Sequence, residues 1–297
     1  MSPALVLVVL LLLAGYLARR LSRFPEHSSD VLNRFVIDVC LPAVILRVVP
    51  SLTLRWDLLI LVLVPWSLAA LGYLFARLLA RSLGFDRHTE AAVFVCTALG
   101  NTSFLGFPLV QALLGEAALP FATVYDQLGS FLLLCIVLPV ALAQAAGSAR
   151  PAPRELMKRI ATFPPFIALM ASLIPWTQPA WFQSVLLQIG NALVPSAMFA
   201  VGLRLRITPP KQGLAFVCAL ATKLVLMPLC AFGIARALNT PHDVLQVVVL
   251  ESAMPAMISA GAAVMAAGVA VELTAALVGW GILASLVTTS VWAQFLR

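Results

Sequence analysis

Long runs of apolar residues, rather than an alternation of apolar and polar positions, dominate this chain. Ten such runs cover about residues 4–18, 33–49, 57–80, 89–114, 119–146, 160–175, 181–203, 211–237, 242–267 and 271–293. A helix needs about 20 mostly apolar residues to cross the hydrocarbon core of a bilayer. The pattern therefore predicts an all-α integral membrane protein with ten transmembrane helices.

Two of these runs are interrupted by residues that do not suit a simple spanning helix. The fourth run contains residues 100–108 (GNTSFLGFP), and the ninth contains residues 251–255 (ESAMP). Proline lacks a backbone N–H, and its ring clashes with the carbonyl four residues back, so we expect the fourth helix to break near Leu105. A pair of broken helices in corresponding halves of a membrane protein indicates the substrate site of a secondary transporter.

Composition excludes a soluble protein. Of the 297 residues, 62% are hydrophobic and only 10% are charged, whereas soluble domains carry about 25% charged residues. The net charge of +7 lies in short clusters at the ends of the apolar runs, which argues against nucleic acid binding.

The loops after runs one, three, five and seven hold 14 of the 19 Lys and Arg residues, against 4 on the opposite side. Cytoplasmic loops are rich in Lys and Arg, so both termini are expected outside, on the periplasmic face of the inner (plasma) membrane.

The runs divide into two sets of five. The linker-like stretch 147–159 separates a first half, residues 1–146, from a second half, residues 160–297. Because five is odd, the second half enters the membrane in the opposite orientation, which is the geometry of an inverted repeat. Corresponding prolines agree with this division, since Pro195 follows Pro42 by 153 positions and Pro255 follows Pro108 by 147.

The interruptions have the chemistry to bind an anion. A broken helix presents free N–H groups and the positive end of its dipole, about half a charge. Asn101 adds two amide donors, while Thr102, Ser103, Ser252 and Ser259 offer hydroxyls. The alternative, a proline kink with hydroxyls bonded back to their own helix, stays open.

Four ionisable residues inside the runs are a second indication of function, because a charge at the centre of a membrane helix costs about 2.5–3.5 kcal/mol or more. Lys223 is a candidate to neutralise a substrate carboxylate, with snorkelling to an interface as the alternative. Asp38, Asp126 and Glu251 are candidates to carry a coupling proton, since burial raises the pKa of a carboxyl group. The alternative is a structural pairing with Lys223 or with a freed backbone N–H and, for Asp126, a position at the membrane interface. The coupling ion expected is a proton or a sodium ion. No other cofactor is expected.

The sequence carries no signature of an enzyme. It contains no HExxH or GxSxG motif and no Walker A motif for ATP. His27, His88 and His242 share no ligand spacing. We therefore predict no catalytic residue and no metal site.

Four stretches resemble signature segments of the auxin efflux carrier family, which includes bacterial permeases for malonate and malate. They are residues 32–43 (LNRFVIDVCLPA), 100–109 (GNTSFLGFPL), 190–195 (GNALVP) and 253–255 (AMP). The resemblance implies a fold like that of bile acid sodium symporters, with two inverted five-helix repeats whose fourth and ninth helices cross at Pro108 and Pro255. It also implies that Asn101 faces a substrate carboxylate. Many relatives have an Asn after the second proline, where this chain offers only Ser259.

The expected function is secondary active transport of a small organic anion, a mono- or dicarboxylate, by alternating access. A channel or a sensor derived from a transporter keeps the same fold and is the alternative; a membrane-embedded enzyme is disfavoured. The expected partners are the anion and the lipid bilayer, and assembly as a homodimer is open. The substrate, the coupling ion and the direction of transport are not readable from the sequence.

Overall fold

The computed structural model describes residues 3–53, 55–149, 151–210 and 212–297. Within these ranges the chain is helical, with no β-strand and one isolated bridge between Gly100 and Ala256. The predicted all-α class is confirmed. Arg150 and Lys211, two of the basic residues that predict the orientation, lie outside the described residues.

The described part of the first half contains α1 (Pro3–Arg20), α2 (Ser28–Phe35), α3 (Leu41–Val48), α4 (Ile60–Leu83), α5 (Arg87–Ala98), α6 (Phe107–Leu114), α7 (Leu119–Val124) and α8 (Leu132–Ala146). Three π-helical stretches continue these helices: Val36–Cys40 joins α2 to α3, Thr102–Gly106 precedes α6, and Tyr125–Phe131 joins α7 to α8.

The described part of the second half contains α9 (Pro153–Ala161), α10 (Pro164–Ser172), α11 (Ala180–Asn191), α12 (Leu193–Arg204), α13 (Gly213–Ala221), α14 (Met227–Ala237), α15 (His242–Ser252), α16 (Ile258–Ala266) and α17 (Val271–Phe295). A fourth π-helical stretch, Thr222–Leu226, joins α13 to α14.

Six helical stretches of the described chain are long and apolar enough to cross a membrane. They are Pro3–Arg20, Trp56–Leu83, Glu116–Ala146, Ala180–Arg204, Gly213–Ala237 and Val271–Phe295. The other four predicted segments also contain helix, but each is short or interrupted: α2 with α3, α5 with α6, α10 alone, and α15 with α16. Most of α9 lies in the linker-like stretch 147–159, which is therefore partly helical. Large apolar side chains such as Trp181 and Val287 are exposed on the outer surface, as expected where lipid replaces water.

Three prolines follow π-helical stretches at the same distance. Pro42, Pro108 and Pro228 each occupy the second position of the α-helix that succeeds the stretch. A π-helical turn bonds to the carbonyl five residues back rather than four, as the N–H of Phe107 does to the oxygen of Thr102. The wider turn gives room to a ring that would otherwise clash with the preceding turn, so the helix continues through the proline.

The expected break near Leu105 is therefore wrong. Residues 102–114 are helical, and the chain instead leaves the helix earlier, at residues 99–101, between the end of α5 and Thr102. The interruption of the ninth segment spans residues 253–257 and includes Pro255, as predicted.

The two halves of the chain pack at backbone distance through α1 and α12. A Cβ atom on Gly15 would lie 2.2 Å from the carbonyl oxygen of Phe199, and one on Gly202 would lie 2.2 Å from that of Leu12. Small residues allow such close approach of membrane helices. Both interruptions lie in the interior, since nearly all of α15 and most of α5 are buried.

Candidate functional site

The two interruptions are hydrogen-bonded to each other. The N–H of Asn101 donates to the carbonyl of Pro255 at 2.8 Å, and the N–H of Met257 donates to the carbonyl of Leu99 at 2.9 Å. These bonds flank the antiparallel bridge between Gly100 and Ala256. Each interruption thus supplies backbone partners for the other, which removes much of the cost of leaving a helix inside an apolar interior.

Asn101 is the residue at which the first interruption returns to a helix. Its carbonyl accepts from the N–H groups of Leu105 and Gly106, so its backbone starts the π-helical stretch. Its side chain is buried, and the Nδ2 atom has no hydrogen-bond partner among the described residues. A buried amide without a partner costs about 1–3 kcal/mol, and it is the kind of group that a ligand oxygen satisfies.

Asp126 lies in the π-helical stretch between α7 and α8 and faces the start of the other π-helix. Its Oδ1 atom accepts from the hydroxyls of Thr102 and of Ser103, the latter at 2.7 Å, and its Oδ2 atom accepts from Nε2 of Gln127 at 2.7 Å. Hydrogen bonds to a carboxylate are about twice as strong as neutral ones. In this conformation the protein's own carboxylate therefore occupies two hydroxyls that the sequence assigns to a substrate.

Lys223 lies in the fourth π-helical stretch and is almost fully buried, with 5% of its surface exposed. Its Nζ atom donates to the carbonyl of Ser252 at 3.4 Å, near the end of α15. The same ammonium approaches the first interruption, because a Cβ atom on Gly100 would lie 3.1 Å from it. The side chain does not snorkel to an interface; it places a positive charge between the two interruptions.

Glu251 is fully buried in the last turn of α15, and neither oxygen of its carboxyl group has a hydrogen-bond partner. The carboxyl group packs directly on the backbone of Gly106, where an added Cβ atom would lie 2.3 Å from Oε2. The charged groups that act on it across the site are those of Asp126 and Lys223. An ionised carboxylate without donors is strongly disfavoured in such surroundings, so Glu251 differs in kind from Asp126.

Not every predicted residue joins this cluster. Ser259 and Asp38 are exposed, on α16 and on the first π-helical stretch, and the structure does not bring them to the buried group. Ser252 lies at the edge of the cluster: its hydroxyl donates to the carbonyl of Val248 at 2.6 Å and lies 3.0 Å from the phenol of Tyr125, so both of its contacts are within the protein. Pro108 is buried on α6 beyond the π-helix and does not itself form the interruption.

Three residues of the cluster were missed in the sequence. The phenol of Tyr125 lies 3.0 Å from the hydroxyl of Ser252, Gln127 binds Asp126, and Gly106 packs on Glu251. A polar triplet, Tyr125 to Gln127, inside an otherwise apolar run was the available signal for the first two. Nothing in the sequence singles out Gly106 as a contact of Glu251, because that contact joins two distant segments.

The arrangement can hold an anion but is closed in this conformation. It combines one ammonium, one unpartnered amide and two carboxyl groups in a water-excluding interior. The space beside Lys223 and Pro255 is about 10 Å³, roughly the room for one water molecule. Any ligand larger than water can enter only after the surrounding helices move.

Comparison with known proteins gives a consistent result. The sequence model of a family described as membrane transport protein matches residues 1–293. An uncharacterized transporter of Methanothermobacter thermautotrophicus is 28% identical over 295 residues, which are 97% of this chain and 96% of that protein. A protein of Rhizobium meliloti named putative malonate transporter is 30% identical over 262 residues, 82% of this chain and 80% of that protein. The uncharacterized transporter YfdV of Escherichia coli K12 is 26% identical over 265 residues, 84% and 82% of the two chains.

Proposed function

Since the chain belongs to the membrane transport protein family, we propose that it is a secondary transporter of a small organic anion with its site at the paired interruptions. Membership confirms the resemblance to the auxin efflux carrier family and makes the protein a multi-pass membrane transporter rather than an enzyme. The organic anion is a mono- or dicarboxylate. A relative named as a putative malonate transporter supports this class.

The proposed architecture has ten spans in two inverted repeats, residues 1–146 and 160–297, joined by the linker 147–159. Both termini lie on the outside of the plasma membrane. Support comes from the six helical stretches long and apolar enough to span a membrane, from the shorter helices that lie in the other four apolar runs, and from the antiparallel backbone pairing of the fourth and ninth regions. That pairing is what two broken helices that cross would produce.

One observation carries the site assignment: the ammonium of Lys223 lies against Gly100, and the next residue, Asn101, has a buried side-chain amide without a hydrogen-bond partner among the described residues. A carboxylate accepts from both groups and offsets the buried positive charge. The hydroxyls of Thr102 and Ser103 become available to the substrate if they leave Asp126. The site is closed here, so binding and release require alternating access.

The charges of the cluster also support a coupling ion. If Asp126, Glu251 and Lys223 are all ionised, the cluster carries one net negative charge before any anion binds, and a substrate carboxylate adds at least one more. A proton on Glu251, whose carboxyl group has no donor, removes one of these charges. We therefore assign Glu251 as the residue that takes up a proton together with the anion. A sodium ion at the same place is the other coupling ion to test.

The test uses purified protein reconstituted in liposomes, with radiolabelled malonate as the first probe and a panel of mono- and dicarboxylates chosen by thermal-shift screening. Specific binding raises the unfolding temperature by mass action. Asn101→Ala should abolish saturable uptake, while Asn33→Ala, a matched change on α2, should leave it unchanged. Both variants should elute and melt as folded protein.

Unchanged saturable uptake by Asn101→Ala would remove the interruption from the substrate site. Flux that does not saturate in the unaltered protein would instead indicate a channel. Either outcome leaves family membership intact, because that rests on the whole chain.

A further inference from the structure

A second, larger cavity lies beside the first interruption. It measures about 250 Å³, opens to the surface beside the exposed Leu7 and Asn191, and is lined mainly by α1, α3, α6 and the junction of α11 with α12. Phe107 and Pro108, at the start of α6, form one end of its lining, and Arg47 of α3 and Gln111 of α6 line it further along. The cavity thus borders the π-helical stretch that follows Asn101, in contrast to the water-sized space at Lys223.

Arg47 is the charged residue in the lining of this cavity, and its guanidinium has spare donors. The Nη2 atom contacts the carboxylate of Glu116, which follows α6, so the pair links α3 to the far end of α6. The Nε atom is buried and has no hydrogen-bond partner. A guanidinium carries five N–H donors in a fork that matches a carboxylate. A single contact with Glu116 leaves most of this fork unused.

The other side chains that line the cavity determine which class of ligand fits it. Apart from Arg47, Gln111 and the exposed Asn191, the lining side chains are apolar or proline, among them Val44 and Phe107. One carboxylate can therefore be satisfied at Arg47 while the body of the ligand lies against apolar surface. A second carboxylate would be placed without a cationic partner, which is costly away from water.

We propose that this cavity, the Arg47 cavity, binds an organic anion before it reaches the interruptions, and that the incoming carboxylate replaces Glu116 on Arg47. The ligand class is a monocarboxylate with an apolar body. The proposal rests on anion transport as the function but concerns a separate site, so the two can fail independently. Glu116 acts as an internal competitor that holds the arginine until a ligand arrives.

The experiment measures equilibrium binding of radiolabelled hexanoate to the purified full-length protein, with malonate and the neutral hexanamide as competitors. Arg47→Gln should weaken hexanoate binding tenfold or more, the loss expected for a hydrogen bond to a charged group. Glu116→Gln should strengthen binding several-fold, because a neutral amide competes less well for the guanidinium. Arg55→Gln removes an arginine whose partner, Asp57, is on its own segment and should change nothing.

The opposite signs for Arg47→Gln and Glu116→Gln separate the proposal from a general loss of folding. Hexanoate binding that is equal in all variants, or that hexanamide displaces as well as hexanoate does, would overturn it. So would malonate binding with higher affinity at a site sensitive to Arg47. Asn101→Ala should retain hexanoate binding while losing transport; loss of both would show that the cavity and the interruptions are one site.

Discussion

The carboxyl groups beside the two interruptions differ in their hydrogen bonding. At the first, the hydroxyls of Thr102 and Ser103 donate to Asp126, and Gln127 supplies a further donor. At the second, Glu251 is equally buried but receives no hydrogen bond. Buried acids in a membrane protein therefore differ according to whether hydrogen-bond donors surround the carboxyl group. Three donors surround the carboxyl group of Asp126, whereas the carboxyl group of Glu251 has none, so an ionised form is far less favourable at Glu251.

The largest effect is expected at Gly106, where the π-helical stretch after the first interruption packs on Glu251 of α15. The change Gly106→Ala would place a Cβ atom 2.3 Å from Oε2 of Glu251, so one of the two segments must shift. We expect loss of transport and a destabilisation of about 1–3 kcal/mol, as for an overpacked core, measured by uptake and thermal unfolding.

The matched control is Gly233→Ala on α14, where an added Cβ atom meets nothing within 4 Å. It should keep transport and raise stability by about 0.5–1 kcal/mol through helix propensity. Equal behaviour of the two alanine variants would show that the contact of Gly106 with Glu251 is unimportant.

Glu251→Gln should remove the dependence of transport on pH. In the unaltered protein, uptake should rise as the external pH falls, because each anion enters with a proton on Glu251. Glutamine is permanently neutral, so uptake should become insensitive to pH and should no longer concentrate the anion against its gradient. Uptake into proteoliposomes at external pH 5.5 and 7.5 measures this, with Glu155→Gln, an exposed acid on α9, as a control outside the cluster.

A pH dependence that survives in Glu251→Gln would assign coupling to another acid. A requirement for a sodium gradient in place of a proton gradient would show that sodium is the coupling ion.

Lys223→Met should raise the KM for the anion about tenfold or more, because it removes a charge-assisted partner of the substrate carboxylate. Lys158→Met, on the exposed face of α9, is the matched control and should not change KM. A normal KM in Lys223→Met would make Lys223 a structural residue that supports the end of α15.

The smallest effect is expected for Asp126→Asn. An amide oxygen is a weaker acceptor than a carboxylate for the two hydroxyls, and Gln127 can turn its amide to suit the new partner. We expect a loss of about 1–2 kcal/mol in thermal unfolding and a pH dependence of transport like that of the unaltered protein. Loss of the pH dependence here, with its retention in Glu251→Gln, would exchange the roles of the two acids.

The sequence predicts the larger features of this molecule because they depend on local properties. Apolar runs of about 20 residues locate the helices, and Gly100 and Pro255 locate the two interruptions. The position of the first break was not predictable, because a π-helical turn that accommodates Pro108 depends on neighbouring contacts. Those contacts are made by segments distant in sequence.

The candidate site was predicted only in part for the same reason. Asn101, Lys223 and Glu251 stand out as polar residues in apolar runs, but only the fold shows which acid has donors. Ser259 shares its segment with buried Ile258 and Ala260 and yet is exposed, since adjacent residues on a helix point in different directions. Arg47 is one of the four basic residues on the side opposite the Lys- and Arg-rich loops, and its cavity is visible only when α1, α3 and α6 are assembled.

Because Gly100 and Ala256 pair through their backbones, a change that removes one interruption also removes hydrogen-bond partners from the other. Substitutions that made one of the two helices continuous would remove the backbone N–H and C=O groups that pair with the other interruption. The unpaired groups of that interruption would then lie in the apolar interior. Functional sequences related to this chain should therefore keep both interruptions or lack both. Sequences with only one interruption should be rare.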